Sequence, residues 1–240
     1  MIIHNSNQPR RISPLVTFFE GATNSFFSIP KQLFPDNPKF SYCIPSDLAK
    51  TSLIKFGDDA NLAGNPIKVL RHPKRHYYYL DVYGIQINRE DINVEPSLFK
   101  MKTDGDGYNG FIIDSGTVYT ILPSLAFDAL KDKVYKFLGT PTQYKIFEIC
   151  YSNSIFGGIW PFKSMPTVGI KFWDSTVFEF DINKSWFKMH EANLDCLYVL
   201  RQRQDINLTV LGSAHLYDIN VGHDLKNDLL YLLRMTCPTQ

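Results

Sequence analysis

The sequence predicts a mostly β protein with minor helices, and three observations carry that prediction. Short runs that are rich in aromatic and β-branched residues recur along the chain, as is typical of strands. Fourteen glycines and fourteen prolines are spread between them, which indicates many turns. The 18 Phe, 13 Tyr and 3 Trp among 240 residues exclude a disordered chain and are ample for a buried core.

The predicted strands follow one another along the chain. Residues 77–88 (YYYLDVYGIQIN) begin aromatic and become more polar, which predicts a half-buried strand pair. Residues 176–189 alternate between apolar and polar side chains, as a strand with one buried face does. Residues 207–212 and 229–233 are short apolar runs, and we expect a strand in each.

One helix stands out between Pro123 and Gly139. Ser124 is predicted to cap it, and its apolar residues recur at helical spacing on one face. That face consists of Phe127, Leu130, Val134 and the pair Phe137 and Leu138. Gly139, which is followed by Thr140 and Pro141, is predicted to end the helix.

Charge and hydropathy exclude several classes of function. The 25 basic and 24 acidic residues give a net charge of +1, so the chain has no electrostatic footprint for nucleic acid. No apolar run reaches the roughly 18 residues of a membrane-spanning helix. The first twenty residues do not form a secretory signal. We therefore expect no nucleic-acid partner, no membrane partner and no signal peptide.

The chain contains partial matches to metal-binding and nucleotide-binding motifs, but these matches lack the spacing or the neighbouring elements that the motifs require. The six histidines do not form a metal spacing, and we expect them on the surface or in hydrogen bonds. Residues 105–110 formally match G-x-G-x-x-G, but this match precedes a strand instead of following one. Asp104 and Asp106 begin like an EF-hand loop that no Glu closes. The sequence therefore predicts no metal and no cofactor.

The cysteines and two sequons indicate an oxidising compartment. The four cysteines are widely spaced and contain no C-x-x-C pair: Cys43, Cys150, Cys196 and Cys237. Such cysteines fit two disulfides better than a metal site, although four cysteines permit three pairings. Asn183-Lys184-Ser185 and Asn207-Leu208-Thr209 match the acceptor triplet for N-glycosylation.

The sharpest chemical motif is Asp114-Ser115-Gly116-Thr117, which directly follows the apolar run Phe111-Ile112-Ile113. A strand end presents a carboxylate rigidly, and glycine allows a tight turn whose N–H groups reach it. The two hydroxyls can fix the rotamer of the carboxylate and stabilise its charge. An Asx-type turn without function is the alternative. The motif should arise by chance in on the order of one per cent of chains this long, since Gly makes up about 7% of residues.

These residues resemble a known family. The segment IIDSGT, followed by Leu122-Pro123 and a helix, resembles the second active-site segment of pepsin-like aspartic proteases, and more narrowly of their plant nepenthesin-like branch. Further matches to that branch cover residues 39–43 (F-S-Y-C), 53–57, 77–87, 210–212 and 221–225, and Cys237. The resemblance extends over roughly residues 25–237.

The resemblance implies a bilobal β fold whose two lobes each contribute one aspartate to a shared cleft. Asp114 is then one of the catalytic pair, which shares a proton because two like charges about 3 Å apart cannot both ionise. Ser115 and Thr117 are implied to support it through their hydroxyls, and Gly116 through its backbone N–H. Ile112 is expected to line the substrate cleft.

The resemblance also implies the covalent framework and the boundaries. It pairs Cys43 with Cys237 and Cys150 with Cys196. Residues 1–40 are expected to be an arm or a remnant of a preceding lobe, and residues 41–240 the C-terminal lobe. The sequence contains no second D-[ST]-G motif, so the first aspartate is expected to belong to an N-terminal half. Members of the family are secreted or vacuolar.

Two functions remain open from the sequence. The first is an acid endopeptidase that cleaves peptide or protein substrates, with the second carboxyl supplied by a missing N-terminal lobe or by a second copy of the chain. The second is a catalytically inactive or inhibitor-like binding lobe from a truncated gene. As an isolated chain, the protein is expected to be inactive.

Overall fold

The computed structural model of this protein describes residues 28–47, 49–104, 108–152, 166–180, 185–202 and 207–238. The α-helices whose bounds lie within these residues are α1 (Ile29–Leu33) and α2 (Ser124–Leu138), and short 3-10 turns occur between strands. The strands in chain order are β1 (Lys39–Cys43), β2 (Leu53–Phe56), β3 (Asn65–Leu70), β4 (Tyr78–Leu80), β5 (Val82–Ile87), β6 (Glu90–Asp91), β7 (Asn109–Asp114), β8 (Thr120–Leu122), β9 (Thr142–Tyr144), β10 (Phe147–Ser152), β11 (Val168–Phe172), β12 (Val177–Glu179), β13 (Trp186–Met189), β14 (Leu194–Leu197), β15 (Val199–Arg201), β16 (Asn207–Gly212), β17 (Ile219–Asp224) and β18 (Leu229–Arg234).

The strands form one large sheet and two small ones. The ten-stranded sheet has the order β15-β8-β16-β7-β4-β3-β18-β17-β1-β2. The four-stranded sheets have the orders β13-β14-β10-β9 and β12-β11-β5-β6. The predicted mostly β class with minor helices is therefore confirmed.

Most of the predicted strands are found where the sequence placed them. Residues 77–88 form the pair β4 and β5, residues 207–212 form β16, and residues 229–233 lie within β18. Residues 176–189 differ from the prediction of one alternating strand, because they contain two strands, β12 and β13, that belong to different sheets. Residues 181–184 lie outside the described part of the chain. Strand β1 begins at Lys39, two residues before the predicted start of the lobe.

Helix α2 packs one face against the main core, with two departures from the prediction. Phe127, Leu130 and Val134 are buried as expected, Ala126 is buried with them, and Gly139 ends the helix at a φ of 78°. Pro123 occupies the N-cap position and no side chain caps the helix, because Ser124 is already its first helical residue. The side chain of Phe137 is 41% exposed, since Leu138, four residues after Val134, completes the buried stripe instead.

Two disulfides tie distant parts of the chain together. Cys43 is bonded to Cys237 over a separation of 194 residues, and Cys150 is bonded to Cys196 over 46 residues. These are the pairs that the family resemblance implies. In the chain-entropy account, closing loops of these lengths stabilises the folded state by about 5 and about 4 kcal/mol, respectively.

Candidate active site

Asp114 lies at the end of β7, where the chain crosses from one side of a neighbouring strand to the other. Strand β16 runs parallel to β7 and places Gly212 opposite Asp114. The other side of β16 pairs with β8, through Val210 and Ile121. Residues 114–119, here called the Asp114 loop, therefore leave β7, pass the end of β16 and enter β8.

The close contact between the Asp114 loop and β16 requires glycine at position 212. A Cβ atom added to Gly212 would lie 2.4 Å from the carbonyl carbon and oxygen of Tyr119. The backbone continues this contact, because the N–H of Ser213 donates to the carbonyl of Thr117 at 2.8 Å. The N–H of Ala214 donates to the carbonyl of Val118 at 2.9 Å. The loop is thus fixed to the end of β16 through its main chain.

The carboxylate of Asp114 is held at both oxygens from within its own loop. The backbone N–H of Gly116 donates to Oδ1 at 2.8 Å, and the hydroxyl of Thr117 donates to Oδ2 at 2.6 Å. The N–H of Thr117 also donates to the backbone carbonyl of Asp114 at 3.3 Å. The Asp114 side chain is half-buried. These bonds fix the rotamer of a carboxylate that still has accessible surface.

Ser115 connects the loop to Tyr42, a residue to which the sequence analysis gave no role. Burial raises the pKa of the Tyr42 phenol well above its usual value, a hydrogen bond with the Ser115 side chain opposes that shift, and the charge of Asp114 adds to it. The Tyr42 side chain therefore lies within hydrogen-bond reach of Ser115 and close enough to Asp114 for the charge of that carboxylate to affect its pKa. In the sequence, Tyr42 is recognisable only as part of the F-S-Y-C match. Pairing between strands that are distant in the sequence brings it to Ser115.

Beneath the loop, Thr120 connects β16 to a buried histidine. The Thr120 hydroxyl oxygen accepts a hydrogen bond from the N–H of Gly212 at 3.1 Å and lies 3.0 Å from Nδ1 of His215. His215 is 1% exposed, and its Nε2 has no partner among the described residues. Burial lowers the pKa of His215 to about 3, so this imidazole is neutral across the physiological range.

A second buried histidine lies in an aromatic cluster on β17. The ring of His223 stacks on Phe40 at a centroid distance of 4.4 Å and packs at 4.5 Å from Tyr78. Its Nδ1 has no partner within the described segments, and burial lowers its pKa to about 3. The expectation that the histidines lie on the surface or in hydrogen bonds is wrong for His223, because its ring is used as an aromatic core side chain.

The expectation that Ile112 lines the substrate cleft is not supported. Its side chain is 2% exposed and packs with Tyr79, Leu208 and Val210. Successive side chains of a strand point to opposite faces, so Ile112 points away from the main core that holds its two neighbours. A second apolar cluster covers that face, and a side chain buried there has no surface to offer a substrate.

The described part of the chain brings none of the remaining sequon or metal-motif residues into the Asp114 loop. Asn207 is exposed at the start of β16, and Asn183 lies outside the described residues, as do residues 105–107 of the glycine-rich loop. The described part of the chain contains no group of three or more His, Cys, Asp or Glu side chains that could hold a metal ion. It also contains no helix long and apolar enough to cross a membrane.

The site thus offers one positioned carboxyl group. The hydrogen-bond partners of Asp114 in the described chain are Gly116 and Thr117, and neither supplies a second carboxyl. Such a group can accept a proton from water or donate one to a leaving group. Sharing a single proton between two acids requires a second carboxyl group from outside these residues.

Comparison with known proteins agrees with the fold. A family profile described as "Xylanase inhibitor C-terminal" matches residues 77–232, about two thirds of the chain. Aspartic proteinase nepenthesin-2 of Nepenthes gracilis is 33% identical over 120 residues, which are 48% of this chain and 26% of that protein. Aspartyl protease AED1 of Arabidopsis thaliana is 31% identical over 153 residues, 60% of this chain and 30% of that protein. The chain therefore spans less than a third of these two relatives.

Solved structures show the same architecture at low sequence identity. The crystal structure of edgp superimposes with a TM-score of 0.75 and 20% identity, covering 87% of this chain and 57% of that one. Basic 7S globulin from soybean superimposes with a TM-score of 0.69 and 18% identity, covering 89% and 57%. The chain belongs to the xylanase inhibitor C-terminal family, is homologous to plant aspartyl proteases, and forms the C-terminal lobe of the pepsin-like fold in its described residues.

Proposed function

We propose that this chain supplies one half of an aspartic endopeptidase site, with Asp114 as one of its two catalytic carboxyl groups. The observation that carries the proposal is the preorganised carboxylate. Both of its oxygens accept a hydrogen bond from the same loop, and its side chain remains half-buried at the end of a strand. Electrostatic groups that are fixed before reaction avoid the cost of reorganisation during it.

The reaction needs a second carboxyl group that shares a proton with the first. In the proposed site, the ionised acid of the pair accepts a proton from water, and the water attacks the carbonyl of the scissile peptide bond. The protonated acid polarises that carbonyl, and a proton then passes to the leaving amine. The partner acid comes from an N-terminal lobe or from the Asp114 loop of a second copy, and the substrate is a peptide or a protein.

The compartment is part of the same proposal. Both disulfides are made by buried cysteines, and such bonds persist in oxidising compartments. A secreted or vacuolar location fits both the disulfides and the acid chemistry. Retention of both disulfides in protein recovered from the apoplast or vacuole would support this location, and recovery of the reduced protein from cytosol would contradict it.

The test is peptide hydrolysis by the purified 240-residue chain near pH 5, with and without pepstatin. Any cleavage that the chain shows, by itself or with an added N-terminal lobe, should fall by about 10²–10⁴-fold in Asp114→Asn, the usual effect of losing a general acid or base. Asp174→Asn is a matched control, because Asp174 accepts a hydrogen bond from the N–H of Thr176 in another Asp-Ser turn but lies outside the site. This control should retain full activity.

The concentration dependence of the rate identifies the source of the second carboxyl. If a second copy supplies it, the rate per chain should rise with chain concentration below the dissociation constant of the dimer. Absence of Asp114-dependent cleavage at all concentrations by folded protein, as judged by near-UV circular dichroism at the assay pH, would contradict activity of the chain by itself. A chain that becomes active only with an added N-terminal lobe would support the half-site.

A binding lobe without catalysis is the second candidate, and the matching family profile favours it because that profile is named for xylanase inhibitors. In this case the chain would bind a xylanase through its surface and would not need Asp114. A xylanase inhibition assay separates the two candidates: inhibition by the chain and by Asp114→Asn alike supports a binding lobe. No inhibition by either protein would count against it.

A further inference from the structure

The sequon Asn207-Leu208-Thr209 extends from the surface of the protein into its core. Asn207, the first residue of β16, is exposed, whereas Thr209 is 0% exposed. Alternation along the strand places Thr209 on the same face as Leu211, which belongs to the main core. The opposite residue on β7 is Phe111, also in that core. The hydroxyl of Thr209 thus points into an apolar environment.

The contacts of the folded structure give the Thr209 hydroxyl no stabilising role. Its oxygen has no hydrogen-bond partner among the described residues, although a buried hydroxyl without a partner destabilises a fold. Thr120, on the adjacent strand β8, differs from Thr209 in this respect, because its hydroxyl contacts both Gly212 and His215. Valine has the same shape as threonine and would fill position 209 without the unpaired hydroxyl.

We propose that Asn207 is an N-glycosylation site and that the Thr209 hydroxyl is retained because the acceptor triplet requires it before folding. Recognition of the triplet occurs on an extended chain, so the later burial of Thr209 does not oppose it. The two disulfides independently indicate the oxidising compartment in which this modification takes place.

The modification is a glycosyl transfer from a lipid-diphosphate-linked oligosaccharide. The Nδ2 atom of Asn207 forms a bond to the anomeric carbon of the first sugar, and the bond from that carbon to the diphosphate oxygen breaks. The lipid diphosphate leaves with the electron pair, and the amide loses one proton to a base of the transferase. The exposed position of Asn207 allows the folded lobe to accommodate the attached sugar.

The proposed glycan would be attached at one end of β16, and the candidate active site lies at the other end of this strand. In the pairing of β7 with β16, Asn207 is opposite Asn109, and Gly212 is opposite Asp114. The two ends are separated by about 16 Å at ~3.3 Å per residue. A glycan on Asn207 would therefore be attached at the end of β16 that is remote from the Asp114 loop, and the inference does not depend on whether the chain is a protease.

The first experiment expresses the full chain through the secretory pathway of plant cells, in an Asn183→Gln background that leaves Asn207 in the one remaining sequon. Intact mass should show a glycan that peptide N-glycosidase removes. Thr209→Ser should keep this glycan, while Asn207→Gln and Thr209→Val should lack it. Secreted protein with both disulfides formed but without a glycan at Asn207 would overturn the proposal.

The second experiment tests the structural part of the argument on unglycosylated protein. Thr209→Val should have a melting temperature equal to or above that of the parent, because it removes an unpaired buried hydroxyl. The matched variant Thr120→Val, which leaves the N–H of Gly212 without its partner, should melt several degrees lower. A larger loss for Thr209→Val than for Thr120→Val would show that the Thr209 hydroxyl stabilises the fold and would overturn this explanation of its retention.

Discussion

The Asp114 loop and the layer beneath it differ in whether their polar side chains are fully hydrogen-bonded. In the loop, Asp114, Ser115 and Thr117 each have a hydrogen-bond partner. In the layer below, here called the buried polar layer, four side chains have an atom without a partner in the described structure: Thr209, Ser213, His215 and His223. The side chains that form the site are therefore hydrogen-bonded, whereas these four side chains of the layer below each keep one atom without a partner.

This difference indicates that the site and the core respond differently to acid. The supports of the Asp114 carboxylate are a backbone N–H and a hydroxyl, and neither titrates between pH 3 and pH 7. The buried polar layer contains two neutral imidazoles, whose charged forms are disfavoured by burial. Acid should therefore weaken the fold before it alters the supports of the site.

The largest predicted effect is the loss of stability on acidification. The pKa values of His215 and His223 are lowered to about 3 in the folded chain, against about 6.5 when unfolded. Between these values the unfolded state binds more protons, so stability falls as pH falls. At pH 4 the loss is on the order of 3 kcal/mol per histidine. Denaturant unfolding at pH 7 and pH 4 measures it.

The histidine variants test the source of this pH dependence. His215→Gln and His223→Phe together should leave a much smaller difference in unfolding free energy between the two pH values. The buried carboxyl of Asp195, whose pKa burial raises, acts in the opposite direction, because it favours the folded state as pH falls. An unchanged pH dependence in the double variant would show that other groups control acid stability.

The next effect concerns the contact that joins the loop to β16. Gly212→Ala should lower the free energy of unfolding by about 3 kcal/mol, the upper end of the usual range for overpacking, because its Cβ would overlap backbone atoms of Tyr119. Gly84→Ala is the matched control, since a Cβ there meets nothing within 4 Å. The control should stay within about 0.5 kcal/mol of the parent. Equal stability of the two variants in denaturant unfolding would contradict the close contact.

The smallest predicted effect is at Tyr42. Tyr42→Phe removes the hydrogen bond to Ser115 and should cost about 1 kcal/mol of folding free energy, the usual net value of one such bond. Tyr135→Phe on the exposed side of α2, where the side chain is 51% exposed, should change stability by less than half as much. Equal effects in chemical denaturation would mean that the Tyr42 hydroxyl does not support the loop.

The Asp114 loop could be predicted from the sequence because its interactions are local. Asp114, Gly116 and Thr117 are within three residues of one another, and a short motif contains the whole arrangement. Tyr42 could not be assigned a role in the same way, since only the pairing of β1 within the large sheet brings it to Ser115. A family resemblance can locate such a strand but does not identify which of its side chains meets the loop.

Burial was the property least accessible to prediction. Alternation along a strand places Ile112 on the face opposite to its two neighbours, but it does not show whether that face of the sheet is open or is covered by another cluster. The same limit applies to His215 and His223, whose isolated positions in the sequence carry no periodic signal. Their burial follows from strands and rings contributed by distant segments.

The two disulfides have a consequence for cleavage of the chain itself. A cut at any peptide bond between Cys150 and Cys196 leaves two fragments joined by both cross-links, since each bond spans that interval. A cut between Cys43 and Cys150, or between Cys196 and Cys237, leaves them joined by Cys43–Cys237 alone. A single cut anywhere between Cys43 and Cys237 would thus release no fragment under non-reducing conditions, and the protein would persist as two chains joined by disulfides.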